Sequence, residues 1–199
     1  MSKKKIAIQG ELGAYSHIAA ENLYKDSEIK TCTTFEETFK QAYNDPSYKI
    51  VIPIENSLAG RVADIHYLLP KYKLQIHGEH FQAVEHNLLC KPDATMSDIK
   101  FVRSHAQAIG QCQNLITKKK FKPIISADTA GSAKDLAEGK DKTIAAIASE
   151  LSAKIYNLKI LEKNIEDEKG NVTRFLIMGK NIEQPEFKKE KKFITSCIF

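Results

Sequence analysis

The chain has 199 residues, 42% of them hydrophobic and 28% charged, which excludes a disordered chain and predicts one packed two-lobed domain or a domain plus a fragment of another. The net charge of +5 lies largely in lysine groups at 3–5, at 118–120 and at Lys188, Lys189, Lys191 and Lys192. Such groups read as solvated segments, and without an arginine stripe interleaved with aromatics they exclude a nucleic-acid footprint.

A short apolar run, then small polar residues, then a helical period occurs five times along the chain. Residues 5–8 predict a strand, and a helix follows the turn at 9–13 and runs through Tyr24. Residues 50–54 predict a strand, followed by Glu55, Asn56 and Ser57 and a helix to about Leu69. Residues 100–103 lead into Ser104, His105 and a helix to about Lys119. Residues 123–127 lead into Asp128, Thr129, Ala130, Gly131 and a helix to about Glu138. Residues 143–147 lead into Ala148, Ser149 and a helix to about Tyr156.

This alternation predicts an α/β fold with mostly parallel sheets. The small polar groups then fall at the carboxyl ends of strands, the edge where open α/β sheets bind ligands. They also fall at helix N-termini, where free N–H groups favour anions. Residues 74–90 hold two apolar runs without a helical period and predict a long extended crossover, and 158–165 predict a returning one. Two crossovers predict two lobes with a cleft between them. The first lobe is expected at about 1–77 plus 160–180, the second at about 78–159. Residues 181–192, polar and holding Pro185, predict a linker. Residues 193–199 predict a lone strand, the start of a further domain.

Four cysteines (Cys32, Cys90, Cys112 and Cys197) form no CxxC pair, and no histidine cluster has zinc spacing. Buried reduced thiols and no metal are expected. The N-terminus carries charge without a long apolar run behind it, so no signal peptide, no membrane partner and a cytoplasmic setting are expected.

Five segments carry groups suited to chemistry, and each admits two readings. Gly10, Gly13, Tyr15 and Ser16 form a strand-to-helix turn, serving either steric room or approach to an anion. It is not a GxGxxG fingerprint, so nicotinamide binding is not expected. Glu55, Asn56 and Ser57 offer a carboxylate, an amide and a hydroxyl, or else a helix cap. Ser104, His105 and Gln107 open a helix, with His105 either a proton donor or a cap. Asp128 and Thr129 cap a helix, while Ala130 and Gly131 allow backbone to approach a ligand. Thr173, Arg174 and Phe175 begin a strand, with Arg174 either a surface ion-pair residue or a ligand contact.

The segments IQGELGAYSHIAA (8–20), PIENSLAGRV (53–62), SHAQAIGQC (104–112), DTAGSAK (128–134) and NVTRFLIMGK (171–180) resemble the prephenate dehydratase family, in the family's order and over about residues 6–180. The resemblance implies a two-lobed fold like that of the periplasmic binding proteins (type II). It implies a lyase that converts prephenate to phenylpyruvate, water and carbon dioxide in phenylalanine biosynthesis, without a cofactor. It assigns Thr173 as the essential hydroxyl, with Glu55, Asn56 and Gln107 beside it as catalytic groups. Glu55 and His105 are the candidates for supplying the proton. Ser16, Ser57, Ser104, His105, Thr129, Ala130, Gly131, Arg174 and Phe175 are the expected substrate contacts, Arg174 as a bidentate partner for a carboxylate. The family's usual ACT domain binds phenylalanine as feedback inhibitor, and residues 192–199 resemble its first strand. A homodimer is the expected assembly. Two rivals share the fold: a lyase acting on arogenate, and a solute-binding or sensing domain without turnover.

Overall fold

The computed structural model describes residues 3–181; the expected terminal strand and nearly all of the expected linker lie outside them. The first lobe runs through β1 (Lys5–Gln9), α1 (Tyr15–Leu23), β2 (Glu28–Cys32), α2 (Phe35–Asn44), β3 (Tyr48–Asn56), β4 (Gly60–Arg61), α3 (Ala63–Tyr72) and β5 (Gln75–Ala83). The second holds β6 (Asn87–Cys90), β7 (Phe101–His105), α4 (Ala106–Gly110), α5 (Gln113–Lys119), β8 (Lys122–Ser126), α6 (Thr129–Glu138), β9 (Ile144–Ala148), α7 (Glu150–Ile155) and β10 (Lys159–Glu162). Strand β11 (Val172–Gly179) returns to the first lobe.

The first sheet has the order β2-β1-β3-β11-β5 with β4 on β3, and the second β10-β6-β9-β7-β8. Neither is mostly parallel, against expectation. In the first, β1 lies parallel to β2 and β3, while β11 is antiparallel to β3 and β5. In the second, β6 is antiparallel to both β9 and β10. Apart from β4, which turns back on β3, the reversed strands are the two that have just crossed from the other lobe. Such a strand enters at the cleft, beside the carboxyl ends of its neighbours, and must run against them. The start of β11 therefore lies at the ligand-binding edge.

The lobe boundaries also differ from those expected. Residues 75–83 are extended because they pair along the length of β11, not because they cross between lobes. The first crossover is residues 84–86. Strand β10 pairs with β6, so the second is residues 163–171. The two crossovers bond to each other: Val84 N–H donates to the Asn171 carbonyl (2.8 Å) and Ile165 N–H to the His86 carbonyl (2.9 Å).

Alternation along the strands gives each sheet two apolar faces. Ala7, Ile50, Ile52 and Met178 pack with Phe39 of α2 and Ile65 and Leu68 of α3. Ile6, Ile8, Val51 and Phe175 pack with Ala19 and Ala20 of α1 on the other side. In the second lobe Val102, Ala145 and Ile147 face α4 and α5, while Ala146 and Ala148 face α6 and α7.

Helix α2 starts where the Thr34 hydroxyl accepts the Glu37 N–H (3.1 Å), and Glu37 accepts the Thr33 N–H (2.8 Å). Its Glu36 carboxylate ties it to α3 through Lys71 (2.8 Å) and the Tyr72 hydroxyl (3.1 Å). The Lys71 and Tyr72 hydrogen bonds, with Lys40 close by, hold the Glu36 carboxyl at about 2, against an ordinary 4.5. A carboxyl lowered by folding stabilises the fold above its unfolded value, and that contribution is lost as pH falls through the folded one. Glu36→Gln is therefore expected to unfold at lower denaturant than wild type at pH 7. The gap should close as the pH falls from about 4.5 toward about 2. A gap independent of pH would contradict this role.

The lobes also touch directly. The Gly13 carbonyl accepts from the Ser149 (2.6 Å) and Ser152 (3.0 Å) hydroxyls, and the Leu12 carbonyl from Tyr156 (2.9 Å). Glu11 pairs with Lys134 at 3.1 Å.

Candidate active site

A cleft of about 500 Å³ opens between the lobes, within the range usual for small-molecule sites. Its first-lobe wall is built around a β-bulge. Thr173 pairs with Asn56 and Arg174 with Glu55, but Phe175 pairs with Pro53, leaving Ile54 extra on β3. Proline lacks the N–H a regular ladder needs, and bulges accommodate it. The extra residue puts Pro53 and Asn56, three apart, on the same wall as Thr173 and Phe175, and all four line the cleft.

Asn56 does not cap a helix, because β3 turns back on itself to form β4 and α3 begins only at Ala63. Its side-chain oxygen accepts the N–H groups of Leu58 (3.0 Å) and Ala59 (2.8 Å), closing the turn. Its NH2 group donates to Asn171 Oδ1 (2.6 Å) and Thr173 Oγ1 (2.9 Å). Thr173 is 8% exposed, and its oxygen accepts this bond. No acceptor among the described residues takes the Thr173 proton, which is left for the cleft.

The opposite wall comes from the second lobe. His105, Gln107, Asp128 and Thr129 line it at the carboxyl ends of β7 and β8, and Gln111 lines it from the end of α4. His105 Nδ1 accepts the Gln107 N–H at 3.3 Å, so the neutral ring carries its proton on Nε2. Asp128 caps α6 by accepting the Gly131 N–H (2.6 Å). From the first lobe, Gln9, Ser16, Arg61 and Asp64 also line the cleft.

Of the residues expected from sequence, Ser16, Asn56, His105, Gln107, Thr129, Thr173 and Phe175 meet in this cleft. Six do not. Arg174 follows Thr173 on the strand, so its side chain leaves by the other face. There it pairs with Glu79 of β5 (Nη2 to Oε2, 2.6 Å) and lies over Phe81. Glu55, its partner across the strands, is exposed and outside the lining. Ser57 is used by β11: its hydroxyl accepts the Val172 N–H (3.0 Å) and its own N–H reaches the Val172 carbonyl (2.9 Å). Ser104 is fully buried and donates to the Ile147 carbonyl (2.7 Å). Ala130 is buried on the inner face of α6, and the Gly131 N–H is taken by Asp128.

Sequence reasoning gave no role to Arg61, Asp64, His86, Gln111 or Asn171, all in the lining. Arg61 is the one permanently positive group among the lining residues. Cys112 is buried, and that burial, with Asp167 and Glu166 near, pushes its thiol up to about 12, so it stays protonated.

Comparison with known proteins places this geometry. The family model described as prephenate dehydratase matches residues 6–183. A Komagataeibacter europaeus protein named bifunctional N-acyl-homoserine lactone acylase/prephenate dehydratase is 41% identical over 175 residues, 88% of this chain and 62% of its own. An Arabidopsis thaliana protein named arogenate dehydratase/prephenate dehydratase 2, chloroplastic, is 39% identical over 100% of this chain and 51% of its own. The chain therefore spans between half and two thirds of these relatives. The prephenate dehydratase of Arthrobacter aurescens, solved in complex with L-Phe, superposes with a TM-score of 0.84 at 25% identity, covering 92% of this chain and 63% of that one. That of Staphylococcus aureus gives 0.76 at 27% identity, covering 90% and 67%. By the match of its motifs, its two lobes and nearly its whole described length, the chain belongs to the prephenate dehydratase family.

Proposed function

We propose that this chain converts prephenate to phenylpyruvate, water and carbon dioxide. The observation that carries the reading is the Thr173 hydroxyl, which accepts from Asn56 and keeps its own proton for the cleft. In the reaction the bond from the ring to its carboxylate breaks and releases carbon dioxide. The electron pair moves into the ring, and the carbon–oxygen bond on the far side breaks. The departing hydroxide needs a proton to leave as water, and the ring becomes aromatic.

Thr173 donates a hydrogen bond to that oxygen as charge develops on it. A threonine hydroxyl is too weak an acid to surrender its proton efficiently near neutral pH. With Glu55 outside the cleft, His105 is the group that completes the transfer: as the imidazolium it gives its Nε2 proton to the departing hydroxide and is left as the neutral ring. Prephenate is a dianion, and Arg61 takes over the carboxylate role first expected of Arg174. The Thr129 N–H, opening the ten-residue helix α6, favours negative charge at the opposite wall. Gln107 orients the pyruvyl arm.

The finer setting belongs to the same proposal. No helix among the described residues is long and apolar enough to cross a membrane, and a cytoplasmic enzyme fits this. A homodimer is the assembly we expect, with phenylalanine control dependent on a complete ACT domain.

The test is incubation with prephenate and, separately, arogenate, with the products resolved by chromatography. Phenylpyruvate from prephenate is the expected result. Phenylalanine from arogenate, with prephenate untouched, would move the assignment to the sister substrate. Neither product from folded protein would reduce the cleft to a binding site.

A further inference from the structure

His86 lies in the first crossover, 2% exposed, and no step above uses it. Its ring touches both lobes. Nδ1 is 3.0 Å from the Tyr15 hydroxyl on α1, and Nε2 is 2.9 Å from Gln111 Oε1 in the second lobe. The same Gln111 oxygen accepts from Asn171 Nδ2 at 3.0 Å. Asn171 Oδ1 in turn accepts from Asn56. A continuous line of contacts thus runs from Tyr15 to Thr173 through both crossovers.

The donor direction along this line is set from its Asn56 end. The Leu58 and Ala59 N–H groups can only donate, so the Asn56 atom facing them is its oxygen. The NH2 group then faces Asn171 and Thr173. Asn171 must present its oxygen to Asn56, and so its NH2 to Gln111. Gln111 must therefore present oxygen, and the His86 nitrogen against it must carry hydrogen. In the neutral ring this leaves Nδ1 with a lone pair, which the Tyr15 hydroxyl can fill. Burial, with Cys112, Glu166 and Glu85 nearby, pushes the Tyr15 phenol well up, so it keeps the proton it would donate. That proton is shared, because the Glu85 carbonyl lies 2.7 Å from the same hydroxyl. Burial lowers the His86 pKa, opposed by the Gln111 hydrogen bond and the charge of Glu166.

Gln111 is itself held from the second crossover. Its carbonyl accepts the Asp167 N–H at 2.7 Å, while the Asp167 carboxylate takes the N–H groups of Gln113 (2.8 Å) and Asn114 (3.0 Å). His86 N–H donates to Glu166 at 3.0 Å. Backbone and side chain are tied down on both sides of the contact between His86 and Gln111.

We infer that His86 is a positioning residue: its Nε2–H holds Gln111 and, through Asn171, steadies the Asn56 amide that donates to Thr173. Both ring nitrogens are occupied, so it donates nothing to the substrate. The kinetic side of this inference rests on the proposed lyase activity; the tautomer does not.

Two substitutions divide the ring. Glutamine at 86 sets an NH2 group near the Nε2 position and preserves the bond to Gln111. Asparagine reaches only the Nδ1 position and preserves the Tyr15 side. His86→Asn is expected to lower kcat by about 10²-fold with KM within about threefold, the cost of a slightly misplaced reacting group. His86→Gln should stay within about fivefold of wild type, since it keeps the hydrogen bond that sets the geometry. A packing role would impair both alike, and that result would overturn the inference. Nitrogen-15 NMR of the imidazole reads the tautomer without substrate, and in wild type hydrogen on Nε2 is expected. Hydrogen on Nδ1 alone would overturn the inference even if His86→Asn fails to fold. A wild-type chain that turns over neither prephenate nor arogenate would sink the lyase reading, while the tautomer would still decide the donor line.

Discussion

Thr173→Val is expected to lower kcat for phenylpyruvate formation by about 10²- to 10³-fold, the cost of removing one preorganised donor from a developing oxyanion. The substitution keeps the side-chain volume and removes the proton aimed at the cleft. It also leaves one Asn56 N–H with only the more distant Val172 carbonyl (3.4 Å) in reach, in a half-buried place. That loss is worth about 1 kcal/mol, or a melting temperature about 3 °C lower in a chain of this size. The variant should therefore be folded and nearly inactive. Thr173→Ser keeps the hydroxyl and should lie much closer to wild type. A Thr173→Val enzyme with wild-type kcat would remove the hydroxyl from the mechanism.

Gly13→Ala is expected to be the most destabilising small change at the lobe contact. Gly13 has φ +91°, in the left-handed region that side chains rarely adopt. A Cβ there would also lie 2.5 Å from Ser152 Oγ and 2.8 Å from Ser152 Cα. The hydroxyl can rotate away, but the Cα belongs to the α7 backbone and cannot. Strain and overpacking together suggest about 3 kcal/mol, or a melting temperature lower by about 10 °C. The Gly13 carbonyl would leave the Ser149 and Ser152 hydroxyls, so the two walls of the cleft should lose register and activity should fall as well. Adding Ser152→Gly cannot remove the Cα clash or the φ penalty, so it should recover only part of the loss. Full recovery would show that the side-chain clash alone was responsible.

The strand-then-helix units were legible in the sequence because each joins a β-rich run to a helical period through small polar residues. The two crossovers were legible as extended segments without that period. The path of residues 75–83 was not, since an extended run looks the same whether it crosses between lobes or pairs with a strand nearly a hundred positions later. Strand β2 and helix α2 went unread, although Thr34 and Glu37 carry the spacing of a capped helix start. At the site, Thr173, Asn56 and Gln107 were recognisable through family motifs. The faces they share were not: one extra residue at Ile54 decides which of Pro53, Glu55 and Asn56 meet the cleft, and no local pattern marks a bulge. Of the two readings open for Arg174, the ion pair is the one seen, its neighbour at 173 having taken the cleft face. His86, Gln111 and Asn171 are separated by 25 and 60 positions and meet only once both crossovers are folded, so no spacing could announce them.

The most direct measurement is a calorimetric titration of Thr173→Val with prephenate, with the cell contents then assayed for phenylpyruvate. The expected result is saturable binding, one molecule per chain, with almost no phenylpyruvate formed. Phenylpyruvate at the wild-type rate, or folded protein that takes up no prephenate, would contradict the assignment of Thr173 to the chemical step in this cleft.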